Sequence, residues 1–296
     1  MPRKDKQNLM YLIKKVHGAV ENIDIEKHRQ SQDYFGALLS NKKEINITEK
    51  NIDGMYGEWV AANRVHMKKH VILYCHGGGY ATGSCIYART LTTKLATSTS
   101  MDVFSFDYRL APEHPYPAAL EDAMKAWNYL MMIGYGARDV IIAGDSAGGN
   151  LALALTLKLK SEERLLPRGL VLLSPWTDLL LGGKSHHKKA EIDPVLTKAY
   201  LDEMISYYAE KEDLSNPFIS PLYGDFTGFP PTYIQVGENE ILLSDATLLQ
   251  KRLIKANVSV KLDVFPGMWH VFQMSPLKMA YEAMDKNAEF IFEICR

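Results

Sequence analysis

The residues best suited to chemistry begin with Ser146, the central residue of a G-x-S-x-G pattern between Gly144 and Gly148. A β-branched apolar run at 140–143 precedes the pattern, and an Ala/Leu-rich stretch at 151–159 follows it, which predicts a strand running directly into a helix. This is the context of a nucleophile elbow, a strained turn in which the glycines leave space where side chains would collide. The helix start also favours developing negative charge, because its N–H groups are unpaired. We therefore predict that Ser146 is a nucleophile.

A second glycine-rich loop, which reads HGGGY at 76–80, follows another short apolar run. Three consecutive glycines let the backbone approach a substrate closely and turn N–H groups toward it, as one wall of an oxyanion hole requires. A phosphate-binding loop would need the GxxxxGK[ST] spacing and its lysine, and both are absent. We expect the N–H groups of Gly78, Gly79 and Ala147 to be the oxyanion donors. His76 is expected to brace the loop.

A serine nucleophile needs a general base, and in folds with this elbow the chain order is serine, acid, histidine. Three histidines follow the serine, at His186, His187 and His270. The first two lie in a stretch rich in lysine, which is typical of a solvated loop. His270 comes just after the last predicted strand, at 260–265, where a loop can bring an imidazole over the edge of the sheet. We predict that His270 is the base.

The acid of such a triad is expected in the loop after predicted strand 232–236, which offers Glu238, Glu240 and Asp245. Ser244 or Asp245 is expected to be the N-cap of the next helix, which argues against Asp245 as the acid. Spacing does not separate Glu238 from Glu240, so both remain candidates on this evidence.

The elements that must position these residues are short β-branched runs that alternate with helical patterns. The predicted strands are 71–75, 103–106, 140–143, 170–173, 232–236 and 260–265, and the predicted helices lie near 86–99, 117–133, 147–161, 194–210, 244–256 and 276–294. Asp193-Pro194 and Ser275-Pro276 each place a capping side chain before a proline and predict two of the helix starts. This alternation predicts an α/β fold with a mainly parallel sheet covered on both faces.

The N-terminal part of the chain has a different pattern. Residues 8–39 carry apolar side chains at helical spacing with a break near Asp24, which predicts two amphipathic helices. The first helix is basic, and we expect it to lie on the rest of the protein rather than on a membrane surface. Residues 45–63 alternate over short stretches around Asp53-Gly54, which has turn chemistry. We expect an antiparallel hairpin at the edge of the sheet.

The composition excludes several classes of protein. The 296 residues are 47% hydrophobic and 23% charged, which is typical of a soluble globular protein and argues against disorder. With 34 Lys and Arg against 35 Asp and Glu there is no basic surplus, so we expect no nucleic-acid partner.

Several features bear on the compartment. Cys75, Cys85 and Cys295 include no CxxC pair and cannot all pair within one chain, which suits a reducing compartment. The longest apolar run, at 129–137, is about half of the ~20 residues that a membrane-spanning helix needs. The basic N-terminus is not followed by an apolar segment, so no signal peptide is indicated. We expect a cytoplasmic protein without stable membrane association.

One pair of histidines has metal-ligand spacing. His66 and His70 stand at i and i+4, but they fall in a predicted turn with no obvious third ligand. Chance is the better explanation of this spacing. We expect neither a metal ion nor a cofactor.

From about residue 45 to the C-terminus, these motifs together resemble the hormone-sensitive-lipase-like branch of the α/β-hydrolase superfamily. Beyond HGGGY and GDSAGG, the stretch DYRLAPEHPYPAALEDA at 107–123 is nearly the family's own signature, and SPWTDL at 174–179 is similar to another of its segments. The resemblance implies the α/β-hydrolase fold, with a mostly parallel eight-stranded sheet, helices on both faces and a helical cap.

The resemblance also implies an organisation for the chain. Residues 1–296 would form a single α/β-hydrolase domain, with cap elements at about 1–45 and about 180–215. Within the signature stretch, we interpret Asp107, Arg109 and Glu113 as buried or half-buried architectural ion pairs.

The family's functional positions fall on residues already singled out. Its nucleophile falls on Ser146, its base on His270 and its oxyanion donors on Gly78, Gly79 and Ala147. The resemblance therefore implies a serine carboxylesterase that hydrolyses small, short-chain acyl esters through an acyl-enzyme intermediate, with no cofactor.

The resemblance also bears on the acid. The family's acid usually lies in a D-x-L loop, but a subset reads G-x-x-E-x-L-L, which residues 237–243 match with Glu240. Glu240 also precedes His270 by a separation similar to the family's. Glu240 is therefore favoured over Glu238, which gives a Ser-Glu-His triad.

Other functions are possible for a site with these residues. An amidase or aryl-formamidase would use the same site, and a non-catalytic small-ligand receptor of this fold typically lacks the histidine that is present here at His270. A true lipase is disfavoured because no sizeable exposed apolar lid segment is evident. The expected partner is a small-molecule ester. Dimerisation is common in the family, although the sequence itself gives no independent sign of a homodimer.

Overall fold

The structure is a computed structural model that describes residues 24–40, 44–64 and 69–296, together with Met10 and Lys14. The first predicted amphipathic helix, between residues 8 and 23, lies outside the described residues except at those two positions.

The described residues form one eight-stranded sheet in the order β1-β2-β4-β3-β5-β6-β7-β8. The strands are β1 Ile45–Ile52, β2 Met55–Ala62, β3 Val71–Cys75, β4 Asp102–Phe106, β5 Val140–Asp145, β6 Gly169–Leu173, β7 Thr232–Gly237 and β8 Val260–Phe265. The β1–β2 and β2–β4 pairs are antiparallel, and every other neighbouring pair is parallel. The predicted hairpin and the predicted parallel sheet are both confirmed.

Helices cover both faces of this sheet. They are α1 Ile25–Leu39, α2 Cys85–Thr99, α3 Ala118–Met132, α4 Ala147–Ser161, α5 Ser185–Lys188, α6 Lys198–Ala209, α7 Leu243–Lys255 and α8 Lys278–Cys295. Strands β3 to β7 are buried along their whole length, because helices pack against both of their sides. Continuous burial explains why β3, β5 and β6 appear in the sequence as nearly unbroken apolar runs.

The predicted helix start at Asp193-Pro194 is wrong. Oδ1 of Asp193 accepts the N–H groups of Val195 and Leu196 and closes a separate turn. The next helix, α6, begins at Lys198, because the side chain of Thr197 accepts the N–H of Tyr200 and caps it. Two capping residues stand in tandem, and the second one begins the helix.

The predicted start at Ser275-Pro276 is also displaced, since α8 begins at Lys278. An N-cap residue must offer its carbonyl oxygen to the first helical hydrogen bond. The carbonyl of Ser275 instead accepts a hydrogen bond from Nζ of Lys94 at 2.8 Å. The first helical N–H groups, those of Ala280 and Tyr281, donate to the carbonyl of Leu277, so the helix begins after Leu277.

Helix α1 packs with a different face from the one that its apolar residues predict. Tyr34, Phe35 and Leu38, the apolar residues whose spacing predicted this helix, are 67%, 47% and 63% exposed. The contacting face carries Gly36, where an added Cβ would lie only 2.4 Å from the carbonyl oxygen of Ile86 in α2. Glycine permits this close helix contact, and it turns the apolar residues outward.

The signature stretch contains two ion-paired residues and one backbone acceptor. Arg109 binds Asp122 at 2.9 Å, and Glu113 accepts from Arg29 at 2.7 Å, but the Arg109 and Glu113 side chains are 44% and 53% exposed. Among the described residues, Asp107 forms no such pair, and it accepts the N–H of Cys85 at the start of α2. The prediction of ion pairs is therefore wrong for Asp107 and confirmed for Arg109 and Glu113, whose side chains are about half exposed.

The carboxyl ends of parallel strands lie at one edge of the sheet, and the loops that follow them meet there. The glycine loop follows β3, the serine follows β5, the glutamate loop follows β7, and the histidine loop follows β8. This edge is the place where the candidate site forms.

Candidate active site

Ser146 occupies a tight turn between β5 and α4. Its backbone has φ 53° and ψ −120°, a conformation that is strained for a residue with a side chain. A Cβ on Gly144 would lie 2.3 Å from the carbonyl oxygen of Gly148, and a Cβ on Gly148 would lie 2.0 Å from that of Cys75. Neither glycine can be replaced without moving the backbone. The strand and helix therefore cross closely enough to hold the serine at the edge of the sheet.

Three predicted residues meet at this edge. Nε2 of His270 lies 2.9 Å from Oγ of Ser146, and Nδ1 of His270 lies 2.8 Å from Oε2 of Glu240. The other oxygen of Glu240 accepts the N–H of Gly237 at 2.8 Å. All three side chains are buried. The geometry is that of a nucleophile, a base and an orienting acid.

The carboxylate also determines which imidazole nitrogen carries the proton. An ionised Glu240 can only accept, so Nδ1 of His270 donates to it and Nε2 presents a lone pair to the serine hydroxyl. Burial by itself lowers the pKa of His270. The hydrogen bond and charge of Glu240, with the charges of Asp193 and Asp145, outweigh burial and raise the pKa above its ordinary value.

The other two candidate acids serve different loops. Oε2 of Glu238 accepts the N–H of Gly267 at 2.8 Å and holds the turn that precedes the histidine. Asp245 accepts the N–H groups of Thr177 and Asp178 at 2.9 and 3.0 Å. Helix α7 begins at Leu243, so the expectation that Ser244 or Asp245 is its N-cap is wrong. Of the three acids, only Glu240 is hydrogen-bonded to His270.

The glycine loop presents its amides to the same edge. Gly78 and Gly79 have φ values of 114° and 63°, which are accessible to glycine and turn the peptide N–H groups. Among the described residues, none accepts a hydrogen bond from the amides of Gly78, Gly79 or Ala147. His76 stacks on Tyr108 with 4.0 Å between ring centroids, as expected of a residue that braces the loop. Three amides are thus available to an incoming oxyanion.

Comparison with known proteins gives the family. The model of a family with the α/β-hydrolase fold matches residues 72–274. The chain belongs to this family. It is 38% identical over 261 residues to an esterase of Acinetobacter venetianus, a match that covers 87% of this chain and 86% of the relative. It is 39% identical over 215 residues to an acetyl-hydrolase of Streptomyces hygroscopicus, covering 73% and 71% of the two chains.

Solved structures identify the branch. A hormone-sensitive lipase from a metagenome library superposes with a TM-score of 0.92 at 36% sequence identity, and the match covers 98% of each chain. The protein is therefore a hormone-sensitive-lipase-like α/β-hydrolase and a carboxylic ester hydrolase. The fold class expected from the sequence is confirmed.

The esterase has a buried carboxylate that the sequence analysis did not single out. Asp145 accepts hydrogen bonds from the hydroxyl groups of Tyr74 and Tyr87 and from the N–H of Gly77. Burial raises its pKa, and these hydrogen bonds together with neighbouring imidazoles oppose that rise. Asp145 therefore fastens the glycine loop to the strand that carries the serine. Its place beside Ser146 in the GDSAG motif was the available signal.

A second His–carboxylate pair also escaped the sequence analysis. His186 was expected in a solvated loop, but it is buried, and its Nε2 lies 2.9 Å from Oδ2 of Asp245. Its neighbour His187 is exposed, as expected. A Cβ on Gly183 would lie 2.5 Å from Cβ of Ser244, so this segment packs tightly on α7 and buries the imidazole.

No group of three His, Cys, Asp or Glu residues in the described ranges could hold a metal ion, and His66 lies outside those ranges. Within the same part of the chain, no helix has the length and apolar character required to cross a membrane.

Proposed function

We propose that the esterase hydrolyses short-chain carboxylic esters through an acyl-enzyme formed on Ser146, with His270 as general base and Glu240 as the acid that orients it. The observation that carries the proposal is the chain of two hydrogen bonds, 2.9 and 2.8 Å long, from Oγ of Ser146 through the imidazole to Glu240. The substrate is a small-molecule ester.

The first half of the reaction forms the acyl-enzyme. Oγ of Ser146 bonds to the ester carbonyl carbon while its proton passes to Nε2 of His270. The carbonyl oxygen becomes an oxyanion, which the N–H groups of Gly78, Gly79 and Ala147 bind. The tetrahedral intermediate collapses, the bond to the alkoxide breaks, and the leaving group takes the proton from Nε2.

The second half releases the acid. Water gives a proton to Nε2 of His270 and attacks the acyl carbon, and a second oxyanion forms at the same three amides. Collapse of this intermediate breaks the bond to Oγ of Ser146, which takes the proton back. Glu240 remains ionised throughout and stabilises the imidazolium that forms in each half.

The preference for short acyl chains is supported by the packing of α6. A Cβ on Gly79 would lie 2.6 Å from Cγ of Met204, so a side chain of α6 packs directly on the glycine loop. The ring of Tyr208, one turn later, stacks on Tyr80 with 3.8 Å between centroids. A helix packed this closely on the oxyanion donors favours small acyl groups. The similarity to an acetyl-hydrolase agrees with this preference.

The test of the nucleophile is Ser146→Ala, assayed with p-nitrophenyl acetate. We expect a folded protein with turnover reduced by a factor on the order of 10⁴–10⁶ and no labelling by an organophosphate. Ser161→Ala, at the exposed end of the same helix, is the matched control and should keep wild-type turnover. Wild-type turnover by Ser146→Ala would overturn the proposal.

The acyl preference has its own test. A series of p-nitrophenyl esters from acetate to palmitate should give the highest kcat/KM among the shortest members. A maximum at the long-chain end would overturn the short-chain assignment and leave the nucleophile unaffected.

A further inference from the structure

Asp193 is a buried carboxylate that lies between α5 and α6, outside the three residues of the proposed triad. Its Oδ1 accepts two N–H groups from its own turn, those of Val195 and Leu196, at 2.8 and 3.0 Å. Its Oδ2 reaches a different part of the fold and accepts the N–H of Ile241 at 2.8 Å. One side chain thus joins the segment before α6 to the loop that follows β7.

The residue that Asp193 holds is the neighbour of the proposed acid. Ile241 follows Glu240 directly, and both are fully buried. The carbonyl oxygen of Ile241 is held as well, because the hydroxyl of Ser185 donates to it. Both backbone polar groups of Ile241 are therefore bound by side chains from residues 185–193. The position of Glu240 depends on this contact as well as on β7.

The charge of Asp193 also acts at the site. Burial raises the pKa of Asp193 to about 6, and the nearby His270 opposes that rise. In the other direction, the charges of Glu240, Asp193 and Asp145 each raise the pKa of His270. Asp193 is thus one of three carboxylates that favour the protonated imidazole.

We propose that Asp193 is a positioning residue of the esterase, which clamps the loop carrying Glu240 and whose charge helps to stabilise the imidazolium of His270. This inference rests on the proposed function. It makes the segment before α6 part of the catalytic geometry, because side chains of that segment hold the backbone beside the acid.

The experiment is Asp193→Asn, with the pH dependence of kcat and kcat/KM measured on p-nitrophenyl acetate. The amide keeps one oxygen for the turn, but it removes the charge and places an N–H₂ donor where Ile241 needs an acceptor. We expect kcat to fall about five- to twentyfold with KM within about threefold of wild type. The acidic limb of kcat/KM should move down by about half a pH unit to one unit.

Asp178→Asn is the matched control. Asp178 is also buried and accepts two N–H groups from its own turn, those of Leu180 and Gly182, each at 3.0 Å. Its further partner is the hydroxyl of Tyr223, and it makes no hydrogen bond to the loop that carries Glu240. We expect this variant to lose stability and to keep the wild-type acidic limb. An unmoved limb in Asp193→Asn, with a loss of kcat no larger than the control's, would overturn the proposal.

A measurement on the unmodified protein covers the case in which Asp193→Asn does not fold. The proton on Nδ1 of His270 is bonded to Glu240 and can be followed by NMR as the pH is changed. We expect its chemical shift to move in two steps, one of them where Asp193 titrates. A single step would overturn the role of Asp193.

The two proposals fail in different ways. An active Ser146→Ala variant would overturn the proposed function itself. An inactive Ser146→Ala variant combined with an unmoved profile for Asp193→Asn would overturn only the role of Asp193.

Discussion

Two buried His–carboxylate pairs in this molecule have nearly the same length and different surroundings. His270 lies 2.8 Å from Glu240, and His186 lies 2.9 Å from Asp245. The second nitrogen of His270 meets the hydroxyl of Ser146, whereas Nδ1 of His186 has no hydrogen-bond partner among the described residues. The carboxylates differ as well, since Asp245 accepts two backbone N–H groups from the loop after β6.

The difference shows what makes such a pair chemically useful. A His–carboxylate contact by itself only joins two parts of the chain, and at His186 it joins α5 to α7. The contact becomes a proton-transfer device when the free ring nitrogen faces a nucleophile beside unoccupied N–H donors. The same substitution made in each of the two pairs can therefore separate an effect on catalysis from an effect on stability.

The largest expected contrast is between His270→Gln and His186→Gln. The first removes the imidazole that is hydrogen-bonded to Ser146, and we expect kcat for p-nitrophenyl acetate to fall by a factor on the order of 10⁴–10⁶. The second should keep kcat within about threefold, because within the described ranges the side chain of His186 is hydrogen-bonded to Asp245 and to no residue of the proposed triad. Comparable losses in both variants would show that the comparison between the pairs is wrong.

The next contrast concerns the acid. Glu240→Gln should lower kcat about 10²–10⁴-fold, because a neutral amide neither fixes the imidazole tautomer nor stabilises its positive charge. Glu238→Gln makes the same chemical change two residues earlier, on a side chain that binds Gly267, and should lower kcat only slightly. The reverse ranking of these kcat values would transfer the role of acid to Glu238.

For stability, in contrast to catalysis, we expect a large effect at His186. His186→Ala leaves the buried Asp245 carboxylate without its imidazole partner, and the free energy of unfolding should fall by about 3 kcal/mol. The exposed neighbour provides the control, since His187→Ala should stay within about 0.5 kcal/mol of wild type. Urea denaturation measures both values, and equal stability of the two variants would contradict a structural role for His186.

The smallest expected effect is a change of stability and of kcat/KM with pH near the pKa of His270. The pKa of His270 is raised in the folded protein, so its protonated form is favoured there. Its stabilising contribution is complete below the unfolded pKa of about 6.5 and is lost as the pH rises through the folded value. Hydrolysis needs the neutral imidazole, so kcat/KM should rise over that window while stability declines.

A pH profile of kcat/KM and parallel unfolding curves test this window. His186→Gln should share the wild-type acidic limb, whereas Glu240→Gln should shift the limb to lower pH. An acidic limb for the wild type at or below the pKa of a free histidine would contradict the expected direction.

Much of the fold could be predicted because its central strands are buried on both sides. Burial of this kind produces unbroken apolar runs, and the predicted run at 71–75 matches β3 residue for residue. The predicted strand at 260–265 also matches the bounds of β8, although β8 lies at the edge of the sheet and alternates lysine and aspartate with apolar residues. The serine turn was predictable for a related reason, since its glycines are required by backbone contacts that no other residue permits.

The parts that could not be predicted depend on contacts between distant segments. The lysines around His186 predict a solvated loop. His186 is buried because Gly183 lets its segment approach α7 closely. The apolar residues of α1 point outward because Gly36 offers a closer contact with α2. Asp193 has the local pattern of a helix cap, and its bond to Ile241 spans 48 residues.

The order of the site residues along the chain has a consequence during synthesis of the protein. The glycine loop, the nucleophile, the glutamate and the histidine follow β3, β5, β7 and β8, so they arrive one after another along the chain. A chain that ends before residue 270 lacks the imidazole that is hydrogen-bonded to Oγ of Ser146 in the complete protein. On the proposed mechanism such a chain has no base for the serine, so we expect hydrolysis only after the segment that follows β8 has been synthesised.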